Sequence, residues 1–351
     1  MWLMIAVAVG FLSWWITAQL VHGASFIRSL DHPNERSLHA TPTPRTGGVA
    51  MVVSLLAGTL TASGIAISSQ DGSSLASVNE ELWILGPTFF LALVSFYDDR
   101  LGLPVAPRFA LQALAACGMA FGGHLVIRAF TIPHWGVIDF GWASVPLTVL
   151  FLLWMTNLYN FMDGMDGFAG GMTVIGFGVL GYFGWVSHHP LLFCIAAIQT
   201  AAAMGFLAHN FPPAKIFMGD VGSISTGFLA GALIVLGCRD GAFDLWVPLI
   251  VFSPFILDAT VTLVRRALRG ERIWEAHRDH FYQRVVLSGW GHRKTVSTEY
   301  AIMALCAVLA ITYHAVEQWR PVVLGAWILL FGSLAFSVTL LEARSPKIQP
   351  E

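Results

Sequence analysis

Residues 143–167 read ASVPLTVLFLLWMTNLYNFMDGMDG, an apolar run that ends in amides, carboxylates and glycines. A membrane-spanning helix needs about 20 predominantly apolar residues. The run therefore predicts a span over 143–161, followed by a polar rim. Apolar runs of this kind recur along the chain and decide the fold class.

The composition agrees with a membrane protein. Of 351 residues, 56% are hydrophobic and only 11% are charged, whereas soluble proteins carry about 25% charged residues. These values exclude a soluble globular enzyme, a disordered chain and a basic nucleic-acid-binding protein. The four cysteines lie far apart without a metal-ligand spacing, which favours buried apolar roles.

Hydropathy predicts an all-α polytopic membrane protein with 10–11 transmembrane helices, forming a single integral-membrane domain over 1–351. The eleven predicted spans lie near 1–22, 47–68, 82–97, 108–129, 143–161, 168–187, 191–208, 221–238, 245–264, 297–314 and 320–341.

The basic residues predict the orientation. All but Arg128, Arg239 and Arg320 of the 19 Lys and Arg lie on or next to one set of connections. The positive-inside rule makes that set cytoplasmic, which puts the N-terminus in the periplasm and the C-terminus in the cytoplasm. The cytoplasmic loops are then near 23–46, 98–107, 160–167, 209–222 and 265–296.

Two acidic motifs end apolar spans on the predicted cytoplasmic face. Asp98 and Asp99 are adjacent and repel each other unless a cation or proton offsets them; the alternative is a solvated helix end. Asn160, Asp163 and Asp166 recur every three residues, which predicts one broad helical face. Because Mg²⁺ takes oxygen ligands shared with substrate phosphates, both motifs indicate a metal-dependent site.

A third acidic motif lies in the loop 209–223. Asn210 and Lys215 precede Asp220, which stands in a glycine-rich turn followed by Ser223. A turn of this kind at a helix start can offer backbone N–H groups to a phosphate. Asp220 is predicted to complete the metal site.

The longest polar stretch, 265–294, is rich in arginine. Guanidinium groups suit phosphate recognition, but Arg265, Arg266 and Arg269 are also explained as an anchor for anionic lipid headgroups. The His-x-x-His spacing predicts two imidazoles on one side of a turn, where they bind diphosphate or sugar together with the arginine between them; these residues are His277, Arg278 and His280. Asp258 either pairs with a cation or lines the site. Arg108 either holds a lipid phosphate or extends to the headgroups.

Together these motifs resemble the polyprenyl-phosphate N-acetylhexosamine-1-phosphate transferases of glycosyltransferase family 4. The resemblance rests on DHPNERSLHATPTPRTGG at 31–48, Asp98-Asp99, NFMDGMDG at 160–167, FMGDVGS at 217–223 and HRDH at 277–280. It covers residues 30–285 in order.

The resemblance implies a multi-pass enzyme of the bacterial inner membrane. The enzyme would transfer a UDP-activated N-acetylhexosamine-1-phosphate to undecaprenyl phosphate with Mg²⁺ or Mn²⁺, releasing UMP and starting O-antigen or another envelope glycan. By the same resemblance Asp98 is the base. Asp99 and Asp220 lie at the metal, and Asn160, Asp163 and Asp166 hold nucleotide, metal or both. Substrate binding falls to Asn210, Lys215, His277, Arg278, His280 and Arg108.

Several alternatives stay open at this point. The loop HRDHFYQR at 277–284 lacks the histidine runs of the peptidoglycan branch. That difference argues against a phospho-MurNAc-pentapeptide transferase and favours the O-antigen-initiating branch. Direct attack by the lipid phosphate is favoured over an aspartyl-phosphate intermediate. A secondary transporter of a nucleotide-sugar or lipid carrier is the alternative from another class, and a homodimer is left open.

Overall fold

The computed structural model describes residues 2–22, 29–31, 33, 41–68, 74–133, 135–272 and 277–344. The rest of the predicted loops 23–46 and 265–296, and the C-terminal tail from 345, lie outside the described residues. The helices are α1 (Trp2–His22), α2 (Gly47–Ser68), α3 (Ser74–Leu101), α4 (Val105–Cys117), α5 (Ser144–Met162), α6 (Phe168–Val186), α7 (Pro190–Asn210), α8 (Gly219–Arg239), α9 (Trp246–Val251), α10 (Ser253–Leu268), α11 (Phe281–Val285), α12 (Gly291–Ala315) and α13 (Arg320–Arg344).

Two short antiparallel pairs of strands accompany the helices. One pair is β1 (Leu30–Asp31) with β2 (Thr43–Pro44), and the other is β3 (Ala129–Ile132) with β4 (Gly136–Asp139). The chain remains a helical membrane protein, because these strands only connect or precede helices. The predicted fourth span is shorter than expected: a further helical turn over 118–122 follows α4, the helical segment ends at Gly122, and β3 begins at Ala129, the last residue of the predicted range.

Nine segments of the described chain are helices long and apolar enough to cross a membrane. They correspond to nine of the eleven predicted spans, and the protein is therefore multi-pass. The third predicted span lies in α3, which carries Glu80 and Glu81 before its apolar part and Asp98 and Asp99 after it.

The ninth predicted span is broken at Phe252 into the short helices α9 and α10. Pro254 has no N–H to donate to the Ile250 carbonyl. The Ser253 hydroxyl donates to that carbonyl instead, at 2.6 Å. A proline near the start of a helix is tolerated, so α10 restarts after the break and ends in the arginine-rich segment.

The centre of the bundle is α8, whose residues are almost all buried. Its small residues let neighbouring helices approach closely, as is common between membrane helices. A methyl group on Gly227 would lie 2.6 Å from the Met155 carbonyl oxygen of α5. On α2, a methyl group on Gly48 would lie 2.2 Å from the Gly222 nitrogen. These contacts bring the ends of α2, α5 and α8 together.

We expect Gly48→Ala to destabilise the protein, because the added carbon overlaps backbone atoms that cannot rotate away. Overpacking of this kind costs about 1–3 kcal/mol or more. Thermal unfolding of the detergent-purified protein measures the effect. Gly178→Ala is the matched control, since a methyl group there meets no atom within 4 Å. Equal melting temperatures for the two variants would contradict the close α2–α8 contact.

Candidate active site

One guanidinium joins the ends of three helices. The Arg108 Nη1 atom at the start of α4 lies 3.2 Å from Asp98 Oδ2 and 3.4 Å from Asp220 Oδ2. The Leu103 N–H donates to the other oxygen of Asp98 at 2.7 Å. Arg108 thus lies between the carboxylates that end α3 and begin α8. That Arg108 holds a lipid phosphate stays a prediction.

Asp99 faces a second arginine, Arg45, whose Nη2 lies 3.2 Å from Asp99 Oδ1. Residues 44–47 reach this position by pairing with Phe217: the Phe217 N–H donates to the Pro44 carbonyl at 2.7 Å, and the Gly47 N–H donates to the Phe217 carbonyl at 2.9 Å. Asp99 lies beyond the apolar part of α3. Burial raises its pKa, Arg45 opposes that effect and the charges of Asp220 and Asp98 add to it, which together bring the pKa to about 6.

Asn160 and Asp163 bring the end of α5 to the start of α8. The Asn160 amide donates to Asp220 Oδ1 at 3.0 Å and to the Ser223 hydroxyl at 3.1 Å. Asp163 Oδ2 accepts the Gly219 N–H at 3.0 Å. Burial, together with the charge of Asp220, raises the pKa of Asp163 well above its ordinary value. A cation beside these two carboxylates would therefore be strongly favoured.

Gly219 explains why this turn is so close to the first loop. Its φ of +69° is left-handed, and a side-chain carbon there would lie 2.1 Å from the Arg45 carbonyl oxygen. Only glycine satisfies both conditions. Gly219, which precedes Asp220, therefore packs against the Arg45 backbone and donates its N–H to Asp163.

The prediction that Asn160, Asp163 and Asp166 share one helical face is wrong beyond Met162. Helix α5 ends there, and Gly167 adopts a left-handed φ of +74°. The Asp166 carboxylate consequently contacts other segments: it accepts the Ala214 N–H at 3.0 Å and lies 3.1 Å from His292 Nδ1. It connects the loop after α5 to the loop after α7 and to the start of α12.

Asn210 and Lys215 occupy different positions from the carboxylates. The buried Asn210 side chain accepts the Gly167 N–H at 3.0 Å and donates to the Ile216 carbonyl at 2.8 Å. These bonds give Asn210 a structural role in joining two loops. Lys215 is exposed, and its backbone N–H donates to the His209 carbonyl at 2.9 Å.

The two predicted histidines lie together, with ring centroids 4.9 Å apart. His280 is buried and its Nδ1 lies 3.0 Å from Asp258 Oδ1. Burial lowers the pKa of His277 to about 4, and the nearby His280 and Arg266 contribute to the shift. His277 is therefore neutral near pH 7 and would bind as a hydrogen-bonding group. Arg278, between the two, is half-buried.

Contacts of α11 join this histidine loop to the carboxylates. The Tyr282 hydroxyl donates to the Phe161 carbonyl at 3.4 Å. A side-chain carbon on Gly164 would lie 2.1 Å from that hydroxyl. The glycine between Asp163 and Asp166 is thus needed for the close approach of the two loops.

The carboxylates gathered at the ends of α3, α5 and α8 fit a divalent cation. Within the part of the chain that the structure describes, two guanidinium groups, those of Arg45 and Arg108, form ion pairs with Asp98, Asp99 and Asp220, and Arg100 acts on Asp99 without such a pair. Within the described ranges, no three His, Cys, Asp or Glu side chains form a compact ligand set. Mg²⁺ usually uses one or two carboxylates and completes its shell with water and substrate phosphates. Asp220, half-buried and adjacent to Asn160, fits such a ligand.

Comparison with known proteins identifies the family to which the chain belongs. Residues 82–238 match the model of glycosyl transferase family 4. A decaprenyl-phosphate N-acetylglucosaminephosphotransferase of Mycobacterium leprae is 31% identical over 350 residues, covering 92% of this chain and 86% of the relative. The chain belongs to the polyprenyl-phosphate hexosamine-1-phosphate transferase family.

Two further relatives show the range of the family. A probable undecaprenyl-phosphate N-acetylglucosaminyl 1-phosphate transferase of Bacillus subtilis is 29% identical over 316 residues, covering 89% of this chain and 85% of the relative. A phospho-N-acetylmuramoyl-pentapeptide-transferase of Halalkalibacterium halodurans is 29% identical over 285 residues, covering 77% of this chain and 82% of the relative. The family resemblance predicted from the motifs is confirmed.

Arg45 and His292 were not predicted as site residues, although both pair with carboxylates of the site. For Asp258 the prediction left two alternatives open, pairing with a cation or lining the site. Arg45 lies in the motif at 31–48, where the spacing of the residues does not single out any one of them as a site residue. His292 begins α12, far along the chain from Asp166. Only Asp258 carried a signal, since a carboxylate within an apolar run is costly and usually functional.

Proposed function

We propose that the protein transfers an N-acetylhexosamine-1-phosphate from its UDP conjugate to undecaprenyl phosphate, releasing UMP, in a bacterial inner membrane. The observation that carries the proposal is the Arg108 guanidinium held between Asp98 and Asp220. It brings a cation, a candidate base and a candidate metal ligand to one end of the bundle. Two of the relatives named above are named for undecaprenyl phosphate and decaprenyl phosphate, which agrees with a lipid acceptor.

The chain's own residues account for the acceptor's activation. Arg108 would bind the lipid phosphate, and Asp98 would take the remaining proton from a phosphate oxygen of the monoanion. That oxygen bonds to the β-phosphorus of the nucleotide sugar. The bond from this phosphorus to the bridging oxygen breaks, and UMP leaves with the electron pair. The product is an undecaprenyl-diphospho-sugar.

The remaining residues would bind the donor. Bound Mg²⁺, held by Asp220 with Asp99, Asp163 or Asn160 nearby, would neutralise charge on the diphosphate; Mn²⁺ fits the same oxygen donors. His277, as a neutral imidazole, would hydrogen-bond to sugar or diphosphate, while Arg278 would contribute a cation. His280 would bind through its Nε2 atom, because Asp258 engages Nδ1.

The histidine loop supports an O-antigen or related surface-glycan role. The stretch HRDHFYQR at 277–284 lacks the histidine runs of the peptidoglycan branch. We propose UDP-GlcNAc or a deoxy-N-acetylhexosamine conjugate as donor, in preference to UDP-MurNAc-pentapeptide.

The test is UMP release from purified protein with Mg²⁺, undecaprenyl phosphate and a panel of donors. The panel comprises UDP-GlcNAc, UDP-FucNAc, UDP-QuiNAc and UDP-MurNAc-pentapeptide. We expect release with at least one of the first three and none when the lipid or the metal is omitted. Release with the pentapeptide donor alone would contradict the surface-glycan role. No release with any donor would contradict transferase activity.

A further inference from the structure

A cavity lined by four arginines lies between the cytoplasmic ends of α10, α11 and α13. It measures about 340 Å³, many times what one water molecule requires. Its charged lining consists of Arg265, Arg266, Arg269, Arg284, Asp279 and Glu342. Four guanidinium groups and two carboxylates line the cavity, and a third carboxylate, Glu271, lies beside Arg266 and Arg269. Among the described residues the cations exceed these carboxylates by one, so the cavity favours an anion.

The four arginines of the cavity differ in whether they form ion pairs with carboxylates. Arg284 pairs with Glu342, and Arg266 pairs with Asp279 and Glu271. Arg265 and Arg269 are exposed at the rim. The nearest carboxylate oxygen to Arg269 is 3.8 Å away on Glu271, and the described residues include no carboxylate within 4 Å of Arg265. The rim thus carries the unmatched charge.

Arg266 supplies an independent sign of a missing partner. The residue is 9% exposed, and its Nε atom has no hydrogen-bond partner within the described part of the chain. A buried guanidinium nitrogen without a partner is costly. An oxygen-bearing anion in the cavity would supply the acceptor.

A second cavity of about 140 Å³ continues along the same α10–α13 seam toward the membrane interior. Its walls are mainly hydrocarbon, including Pro254, Val285, Phe331, Leu334 and Val338. Two carboxyl groups, those of Asp258 and Glu299, also line it; Asp258 is engaged by four donors. The seam therefore presents cations at headgroup level and an apolar slot one helical turn deeper, which is the pattern of a phospholipid.

We infer that this seam binds an anionic glycerophospholipid of the cytoplasmic leaflet, with its phosphodiester among the arginines and one acyl chain in the apolar slot. The site is distinct from the proposed acceptor site. None of its lining residues belongs to α3, α4, α5 or α8, which carry or border Asp98, Arg108, Asn160 and Asp220. The bound lipid would bridge α10 to α13 and so support the histidine loop that follows α10.

The test measures lipid binding to the full chain by native mass spectrometry, after release from phosphatidylcholine nanodiscs that contain increasing phosphatidylglycerol. Each arginine near a membrane surface contributes about 1 kcal/mol toward anionic lipid, so Arg265→Gln should weaken phosphatidylglycerol binding about fivefold, and Arg265→Gln with Arg269→Gln about thirtyfold. Arg293→Gln, at the exposed start of α12, is the matched control and should change binding less than about twofold.

A second variant tests the apolar slot without altering charge. Ala335→Phe, on the α13 wall, should weaken binding of long-chain phosphatidylglycerol while leaving the short-chain dihexanoyl form unchanged. Undecaprenyl phosphate and inorganic phosphate serve as competitors, and neither should displace phosphatidylglycerol at equal concentration. Unchanged binding in the double arginine variant would overturn the inference. The inference would also be overturned if undecaprenyl phosphate displaced phosphatidylglycerol and the double arginine variant had a raised KM for undecaprenyl phosphate. That result would assign the seam to the acceptor lipid.

Discussion

Asp98→Asn is expected to lower kcat for UMP release by about 10³-fold, the middle of the range for loss of a general base. The asparagine can still accept the Leu103 N–H and face Arg108, so the local geometry is preserved. It cannot take the proton from the lipid phosphate. The KM for undecaprenyl phosphate should change far less than kcat, because Arg108 remains to bind the phosphate.

The control for this variant is Asp139→Asn, at the end of the β4 strand on the opposite end of the bundle. Asp139 is exposed and accepts only the Gly141 N–H at 2.8 Å among its described bonds. Its substitution should leave kcat within about twofold, as for most surface changes. If Asp98→Asn retained a comparable rate and an unchanged pH profile, Asp98 would not be the base. A trapped phospho-enzyme would instead contradict direct attack by the lipid.

The sequence predicted the helical class and most spans because hydropathy over 20 residues is a strong signal. The spans 143–161 and 221–238 lie within one to two residues of α5 and α8. The break at Phe252 was missed, since hydropathy averages over Pro254 and cannot report how one hydroxyl replaces an amide donor. The short β3–β4 hairpin was missed because its four-residue strands lack any longer pattern.

The acidic residues of the site were recognisable because carboxylates are rare in this chain. Their partners were harder to predict, since each pairing depends on how distant segments pack. Arg45 reaches Asp99 only because residues 44–47 pair with Phe217. For Asp166 and Asn210, the roles in catalysis and substrate binding stay predictions, and the structure adds that both side chains join loops. Residue type and spacing indicate a chemistry; packing decides which copy of a residue type performs it.

Asp258→Asn is expected to lower kcat/KM for the nucleotide sugar about 10- to 100-fold, as when an orienting partner of a functional histidine is lost. Asp258 accepts four donors: His280 Nδ1 at 3.0 Å, the Phe281 and Tyr282 N–H groups at 2.9 and 3.1 Å, and the Thr262 hydroxyl at 3.3 Å. It therefore fixes both the start of α11 and the ring of His280. An asparagine amide cannot serve all four donors.

A double-mutant cycle distinguishes this positioning role from a general structural one. If Asp258 acts through His280, then Asp258→Asn adds little to the loss in kcat/KM already caused by His280→Gln. Thr262→Val removes only the longest of the four bonds and should change kcat/KM less than about threefold. If the fold-loss in kcat/KM of the double variant equalled the product of the two single fold-losses, the positioning role would be contradicted. Because Asp258 lies in the α10 segment between the histidine loop and the apolar slot, non-additivity would also show that the membrane part of α10 controls the donor site.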